Sequence, residues 1–207
     1  MKKYLVEFIG TFFLVATIGN VVLAPNDAGA MAPLAIGAIL MVMIFMGGHV
    51  SGAHYNPAVT LGVYLRGKCS ASDVPGYMVA QVVGAMAAAG VVMFLKGASP
   101  LAPMEINVVH ALVAEFIYTF ALVSVVLNVA TAKGTSGNSF YGLAIGFTVL
   151  AGAYAVGAVS GGAFNPAVAI GATLLGLFAP ANIWVYLVAN FAAAAAAAAV
   201  FKVVNDD

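Results

Sequence analysis

The chain has 207 residues, of which 64% are hydrophobic and 7% charged, with seven acidic against seven basic side chains and a net charge of zero. A soluble domain carries about 25% charged residues, so these few cannot cover a globule in water, and their balance offers no basic face for nucleic acid. The solvent for most of this surface is lipid.

Apolar stretches of about 20 residues, the length that crosses a bilayer, fall at 4–24, 33–50, 74–95, 108–130, 140–159 and 183–203. The first follows Met1-Lys2-Lys3 in the manner of a secretory signal. Its Ala-x-Ala, Ala28-Gly29-Ala30, lies beyond the polar turn Pro25-Asn26-Asp27, so it reads as a retained helix. Two shorter stretches, 56–65 and 165–178, come after glycine-rich loops and cannot cross alone. Breaks stand at Pro25-Asn26-Asp27, Arg66-Gly67-Lys68, Gly97-Ala98-Ser99-Pro100 and Lys133-Gly134-Thr135. The expectation is an all-α membrane protein with six transmembrane helices and two re-entrant half-helices, one domain over 1–207.

With the N-terminus in the cytoplasm, Lys2, Lys3, Arg66, Lys68, Lys133 and Lys202 all fall inside and only Lys96 outside, a strong positive-inside bias. The two halves are copies. Leu34-Ala35-Ile36-Gly37 recurs as Leu143-Ala144-Ile145-Gly146 at an offset of 109, and Ser51-Gly52 recurs as Ser160-Gly161. Asn56-Pro57-Ala58-Val59 recurs as Asn165-Pro166-Ala167-Val168, and Tyr77 and Gln81 match Tyr186 and Asn190. One residue out of register, Glu7-Phe8-Ile9 matches Glu115-Phe116-Ile117. Each copy, about 1–105 and 106–207, holds three full spans, so the second lies inverted and a site is expected at the midplane between them.

Asparagine is among the best helix N-caps and proline is favoured at the first helical position, so each Asn-Pro-Ala starts a helix. Ten residues make a rod of about 15 Å, half the hydrocarbon thickness. Two such rods can meet N-terminus to N-terminus, with partial positive charge between them. Irregular backbone at this depth survives only within protein or along a watery cavity.

The pair Ser51-Gly52-Ala53-His54-Tyr55-Asn56-Pro57-Ala58-Val59-Thr60 and Asn165-Pro166-Ala167, in an inverted duplication, resembles the aquaporin (major intrinsic protein) family over essentially the whole chain. The resemblance implies one pore per subunit, a homotetramer, Asn56 and Asn165 orienting the solute at mid-pore, and His54 lining the cytoplasmic side. It also implies an outer filter, which usually carries arginine directly after the second Asn-Pro-Ala. Here that residue is Val168, and the chain's single arginine, Arg66, sits at the other end of the fold. Counting from the motifs, the remaining filter positions fall on Ile36, Ala153 and Gly162, with Tyr154 as the alternative to Ala153 if the helix is rotated. Such a filter is wide and apolar.

Glu7 and Glu115 are intramembrane acids. Either they relay protons, as in a transporter, or they accept hydrogen bonds from the re-entrant loops, the reading the family supports. His49 is expected to bond the loop, and His54 either touches the pore or does not. No metal-ligand pattern or cofactor motif occurs, and Cys69 stands alone. The function expected is passive passage of water and small uncharged solutes such as glycerol, urea, ammonia or neutral metalloid acids. The alternatives are a strictly water-selective channel, a secondary transporter and a membrane-junction role; an enzyme is excluded by the absence of a nucleophile–base pair. Short loops fit the inner or plasma membrane of a prokaryote.

Overall fold

The computed structural model describes residues 1–25, 27–97 and 102–205; Asn26, and Ala98, Ser99 and Pro100 of the third expected break, lie outside them. Among the described residues eight α-helices occur in order: α1 (Lys2–Val22), α2 (Ala32–Ser51), α3 (Pro57–Leu65), α4 (Val74–Lys96), α5 (Val108–Thr131), α6 (Tyr141–Ser160), α7 (Pro166–Leu174) and α8 (Ile183–Val204). Six of them are long and apolar enough to cross a membrane. The other two, α3 and α7, have nine residues each, about 14 Å of helix. The second half-helix is shorter than the expected 165–178. It stops at Leu174, Gly176 takes a φ of +75°, and the chain folds back so that Leu177 N–H donates to the Ala172 carbonyl at 2.9 Å.

The six spans place both ends of the chain on one face, the termini face; the opposite one is the far face. The distribution of polarity is inverted relative to a soluble protein. Phe94, Leu95, Val109 and Val113 are exposed, while Glu7, Gln81, Glu115, Asn190 and the two motif asparagines are buried. Lipid is the solvent for the first group, and protein supplies the partners of the second.

Packing repeats the duplication. Helix α1 packs on α4 and α2, as α5 packs on α8 and α6; α3 lies against α8, as α7 lies against α4. The pairs α2–α6 and α3–α7 meet on the axis that relates the halves. Glycine permits these approaches. A Cβ on Gly37 would stand 2.8 Å from the Gly146 carbonyl oxygen, and one on Gly146 would stand 2.5 Å from that of Gly37. The half-helices dock the same way, Gly62 against Val123 and Gly171 against Val15, each on the first helix of the opposite repeat. Backbones that touch in this manner gain dispersion and exclude lipid, which is what holds helices together where the hydrophobic effect between them is absent.

Side chains close the ends. Lys96 Nζ donates to the carbonyls of Asn20, Leu23 and Pro25, satisfying the C-terminus of α1 at the far face. At the termini face Asp73 takes a 2.6 Å ion pair from Lys3 and a hydrogen bond from the Tyr4 hydroxyl, joining α1 to α4. The Lys3 hydrogen bond, then those from Ser70 and Tyr4, hold the Asp73 carboxyl at about 2.

The crossing of α2 and α6 is a test of this packing. Gly146→Val forces side-chain carbon into the Gly37 carbonyl and is expected to cost about 1–3 kcal/mol, seen as a lower melting temperature in detergent. Gly90→Val is the control, since a Cβ there meets nothing within 4 Å. Equal melting of the two variants would contradict the packing described.

Candidate functional site

Helices α2 and α6 end on glycines in the left-handed region, Gly52 at φ +84° and Gly161 at φ +88°, and the chain then turns back into the protein. The turning segments carry backbone groups that no helix satisfies. Ala53, Tyr55 and Phe164 hold φ values of 51°, 50° and 49°, a region that side-chain-bearing residues enter only when their surroundings force them.

Two carboxylates do the forcing. Glu7 Oε1 accepts from Ser51 Oγ at 2.6 Å and His54 N–H at 3.0 Å; Oε2 accepts from Tyr55 N–H and Gln81 Nε2, both at 2.7 Å. Glu115 Oε1 accepts from Ser160 Oγ at 2.8 Å and Ala163 N–H at 2.9 Å; Oε2 accepts from Phe164 N–H at 2.7 Å and Asn190 Nδ2 at 3.0 Å. Each carboxylate thus takes four donors, two per oxygen. The Tyr77 and Tyr186 hydroxyls donate at 2.7 Å to the Ser51 and Ser160 carbonyls. Sequence reasoning matched these tyrosines to each other without finding what they hold; the offset of 109 was the available signal.

The copies differ in one tether. Gln81 Nε2 also reaches Thr60 on α3 at 2.9 Å, whereas the shorter Asn190 reaches Thr119 on α5 at 2.9 Å. The second half has Ala169 where the first has Thr60, so no hydroxyl is available there.

At the centre each motif asparagine does two jobs. Asn56 Oδ1 caps α3 by accepting from Ala58 N–H at 2.8 Å, while its Nδ2 donates to the Phe164 carbonyl at 2.8 Å. Asn165 Oδ1 caps α7 through Ala167 N–H at 2.9 Å, while its Nδ2 donates to the Tyr55 carbonyl at 2.9 Å. Each cap therefore grips the loop of the other half. Pro57 and Pro166 take the first helical positions, where a missing N–H is harmless, and Ala58 and Ala167 are fully buried where the half-helices meet. A primary amide has two N–H bonds; one is committed to the loop, and both asparagines line a cavity.

That cavity has a volume of about 330 Å³. Its wall includes Asn56, Asn165, His54, Ile36, Ala153, Gly162 and Val168. Tyr154 is turned away, 53% exposed, with its hydroxyl on the Ala30 carbonyl, so Ala153 is the wall residue. Leu40, Ile44, Leu122 and Val149 complete an apolar side opposite the loops. A second, wider cavity of about 1010 Å³ opens at the termini face, and His54 and Val126 line both. His54 Nδ1 lies 3.1 Å from Thr60 Oγ1. His49 differs from its expected place. It is exposed beside the wider cavity, because α2 continues to Ser51 and carries it past the loop. Cys69 lies in the same vestibule, its thiol pushed up first by burial. Arg66 sits at the end of α3 with its guanidinium 4.6 Å from the Phe201 ring, far from Val168. Among the described residues no group of three or more His, Cys, Asp or Glu gathers to hold a metal.

Residues 1–201 match the family model described as Major intrinsic protein. The chain is 37% identical over 213 residues to Aquaporin NIP1-4 of Oryza sativa subsp. japonica, covering 99% of this chain and 77% of that protein. It is 35% identical over 217 residues to Glycerol uptake facilitator protein-like 6 of Lactiplantibacillus plantarum, covering 100% of both. In fold it matches the X-ray structure of the aquaglyceroporin from Plasmodium falciparum, with a TM-score of 0.82, 24% identity, and coverage of 98% of this chain and 96% of that one.

The carboxylate anchors give a test of the site's construction. Glu115→Gln replaces one acceptor oxygen with an NH₂ that faces N–H donors. Each donor left unpaired in the interior costs about 1–3 kcal/mol, so melting temperature and folded yield should fall. A variant that melts with the parent would show that Glu115 does not hold the second loop.

Proposed function

The chain belongs to the major intrinsic protein family and is a multi-pass membrane channel for water and small solutes, not an enzyme; on that premise we propose that it passes uncharged solutes larger than water through a wide, apolar outer filter. The observation that carries this reading is Val168, buried in the cavity wall where an arginine would stand. With Ile36, Ala153 and Gly162 it makes a filter with no charge and no side-chain donor. Glycerol, urea, ammonia and neutral metalloid acids are the solutes such a filter admits, and the relative named a glycerol uptake facilitator supports the choice.

A solute entering the filter loses water and meets two unlike walls. The loops 52–55 and 161–164 present backbone carbonyls that no helix uses, a row of acceptors for hydroxyl or N–H groups. Ile36, Leu40, Val149 and Leu122 receive its carbon edge. At mid-pore the free N–H of Asn56 and of Asn165 donates to it, which interrupts any chain of solute-to-solute hydrogen bonds.

Cations are excluded at the same place. Each half-helix N-terminus carries about half an elementary charge. At about 5 Å and an effective dielectric of about 20, each costs a monovalent cation about 2 kcal/mol, so the pair holds it back by roughly two to three orders of magnitude. An arginine in the filter would add a full charge; here the dipoles act without it.

We place the N- and C-termini in the cytoplasm, since six of the seven basic residues then face it. The far face is then outside, Val168 lies toward the outer mouth, and the vestibule of Lys68, Cys69 and Asp73 opens inward. We propose a homotetramer, each subunit with its own pore, as the resemblance to the family implies.

Swelling of protein-loaded vesicles in glycerol and urea gradients, beside a water-only gradient, tests the proposal. The parent is expected to pass all three. Val168→Arg adds a long stem and five fixed donors, whose charge the loop carbonyls must solvate. It should cut glycerol and urea flux far more than water flux. A parent that rejects everything larger than water, or a variant with the parent's selectivity, would overturn the wide-filter reading.

A further inference from the structure

Among the differences between the two halves, two linked pairs of positions put an aromatic ring in the wall of the far half. At the offset of 109, His54 corresponds to Ala163 and Cys69 to Phe178. A large side chain before the half-helix and a small one after it become, in the second copy, small before and large after.

The neighbours of the two large side chains are equivalent. The His54 ring packs on Tyr77 with centroids 4.9 Å apart, and its Nε2 lies 3.3 Å from where a Cβ on Gly52 would stand. The Phe178 ring stacks on Tyr186, the counterpart of Tyr77, at 4.5 Å and an interplanar angle of 1°. Its Cε1 occupies the space that a Cβ on Gly161, the counterpart of Gly52, would need. Two shared neighbours at matched positions put Phe178 in the place that His54 fills in the first half, reached from the opposite end of the half-helix. The ring fills the room that Ala163 leaves.

We propose that Phe178 is a specificity-determining residue of this channel, the outer counterpart of His54; the proposal rests on the reading of the cavity as a solute pathway. Both residues line it, and apart from His54 and Tyr55 no other aromatic ring does so among the described residues. Phe178 is held by the ring stacked on it and by its own backbone. Tyr186 is fixed by its hydroxyl on the Ser160 carbonyl, and Leu177 accepts from Met104 N–H at 2.9 Å, where the segment before α5 pairs with the segment after α7. A rigid phenyl face has no donor or acceptor to offer. It sets the width of the far half, and it favours solutes with a carbon edge over equally small ones that are polar on every side. Ile36, Ala153, Gly162 and Val168 are small or aliphatic, so Phe178 supplies bulk that they lack.

The test uses the full chain in vesicles and in detergent. Phe178→Ala is expected to raise the glycerol-to-water flux ratio by about tenfold, the scale on which a few missing carbons alter discrimination in an apolar site. Phe178→Leu, which keeps most of the volume, should move the ratio the same way by less, and it serves if the alanine variant folds poorly. Ala163→His alone sets two rings in one place and should melt below the parent. Ala163→His with Phe178→Cys restores the arrangement of the first half, and should melt above the single Ala163→His variant with a flux ratio near the parent's. An unchanged ratio in both Phe178 variants, with water flux intact, would overturn the proposal. So would an Ala163→His variant as stable as the parent. A parent with no water flux would instead sink the pathway reading, while the melting comparison would still report whether the two rings compete for one place.

Discussion

The structure depends on one demand, that ten residues of irregular backbone be satisfied in the middle of a bilayer. Hydrocarbon offers no hydrogen bonds, and each amide left bare there costs several kcal/mol. Residues 52–56 and 161–165 leave the helical ladder at Gly52 and Gly161 and regain it at Pro57 and Pro166. The N–H groups of His54, Tyr55, Ala163 and Phe164 donate to Glu7 and Glu115, and those of Ala53 and Gly162 to the Ser51 and Ser160 hydroxyls. Tyr77 and Tyr186 donate to the flanking Ser51 and Ser160 carbonyls, and each motif asparagine to the Phe164 or Tyr55 carbonyl of the other loop. On the proposed function, the carbonyls of residues 52–54 and 161–163 serve a polar file of solute. A pathway is therefore the consequence of how the loops are paired, and the same bonds that keep the loops at depth give the pathway its direction and its donors.

The reciprocal grip of Asn56 and Asn165 also ties folding to selectivity. Neither half-helix can shift along its axis without breaking a bond to the opposite loop, so the two positive ends stay face to face. Glu7 and Glu115 are fully buried behind the loops and do not line the cavity. They anchor the loops from the side away from the solute. The acid pair that a transporter would use for coupling is occupied here by loop N–H groups and by the Ser51, Gln81, Ser160 and Asn190 side chains. A fixed pore, gated by width and dipole, is what this construction favours over a rocking carrier.

Much of this was legible in the residues. The six spans came from hydropathy and agree with the helices to within a few residues, because length in a membrane is set by the bilayer. The half-helices were marked by Asn-Pro-Ala, since N-cap and first-turn chemistry are local. The far end of α3 was marked by the break at Gly67, but 165–178 overran α7, because the apolar run continues to Phe178 past Gly176, a local glycine C-cap whose N–H bonds the Thr173 carbonyl as Gly67 bonds Tyr64. The choice between Ala153 and Tyr154 needed the rotation of α6. Phe178 went unnoticed because its meaning depends on Ala163, fifteen residues earlier, and on a ring stack that no spacing announces. His49 was assigned to the loop because it is near in sequence, yet the helix carries it to the surface.

The facing half-helix ends, held by the two asparagines, are the claim on which the rest turns, and ion conductance of Asn165→Asp in planar bilayers addresses it most directly. Aspartate caps a helix as well as asparagine does, so α7 keeps its start. It loses the donor to the Tyr55 carbonyl and sets an anion between the two positive ends. Potassium or sodium current should rise clearly above the parent's while water flux persists. If the folded variant passes water and excludes cations as the parent does, the exclusion does not reside at this centre, and the role given to the paired asparagines is wrong.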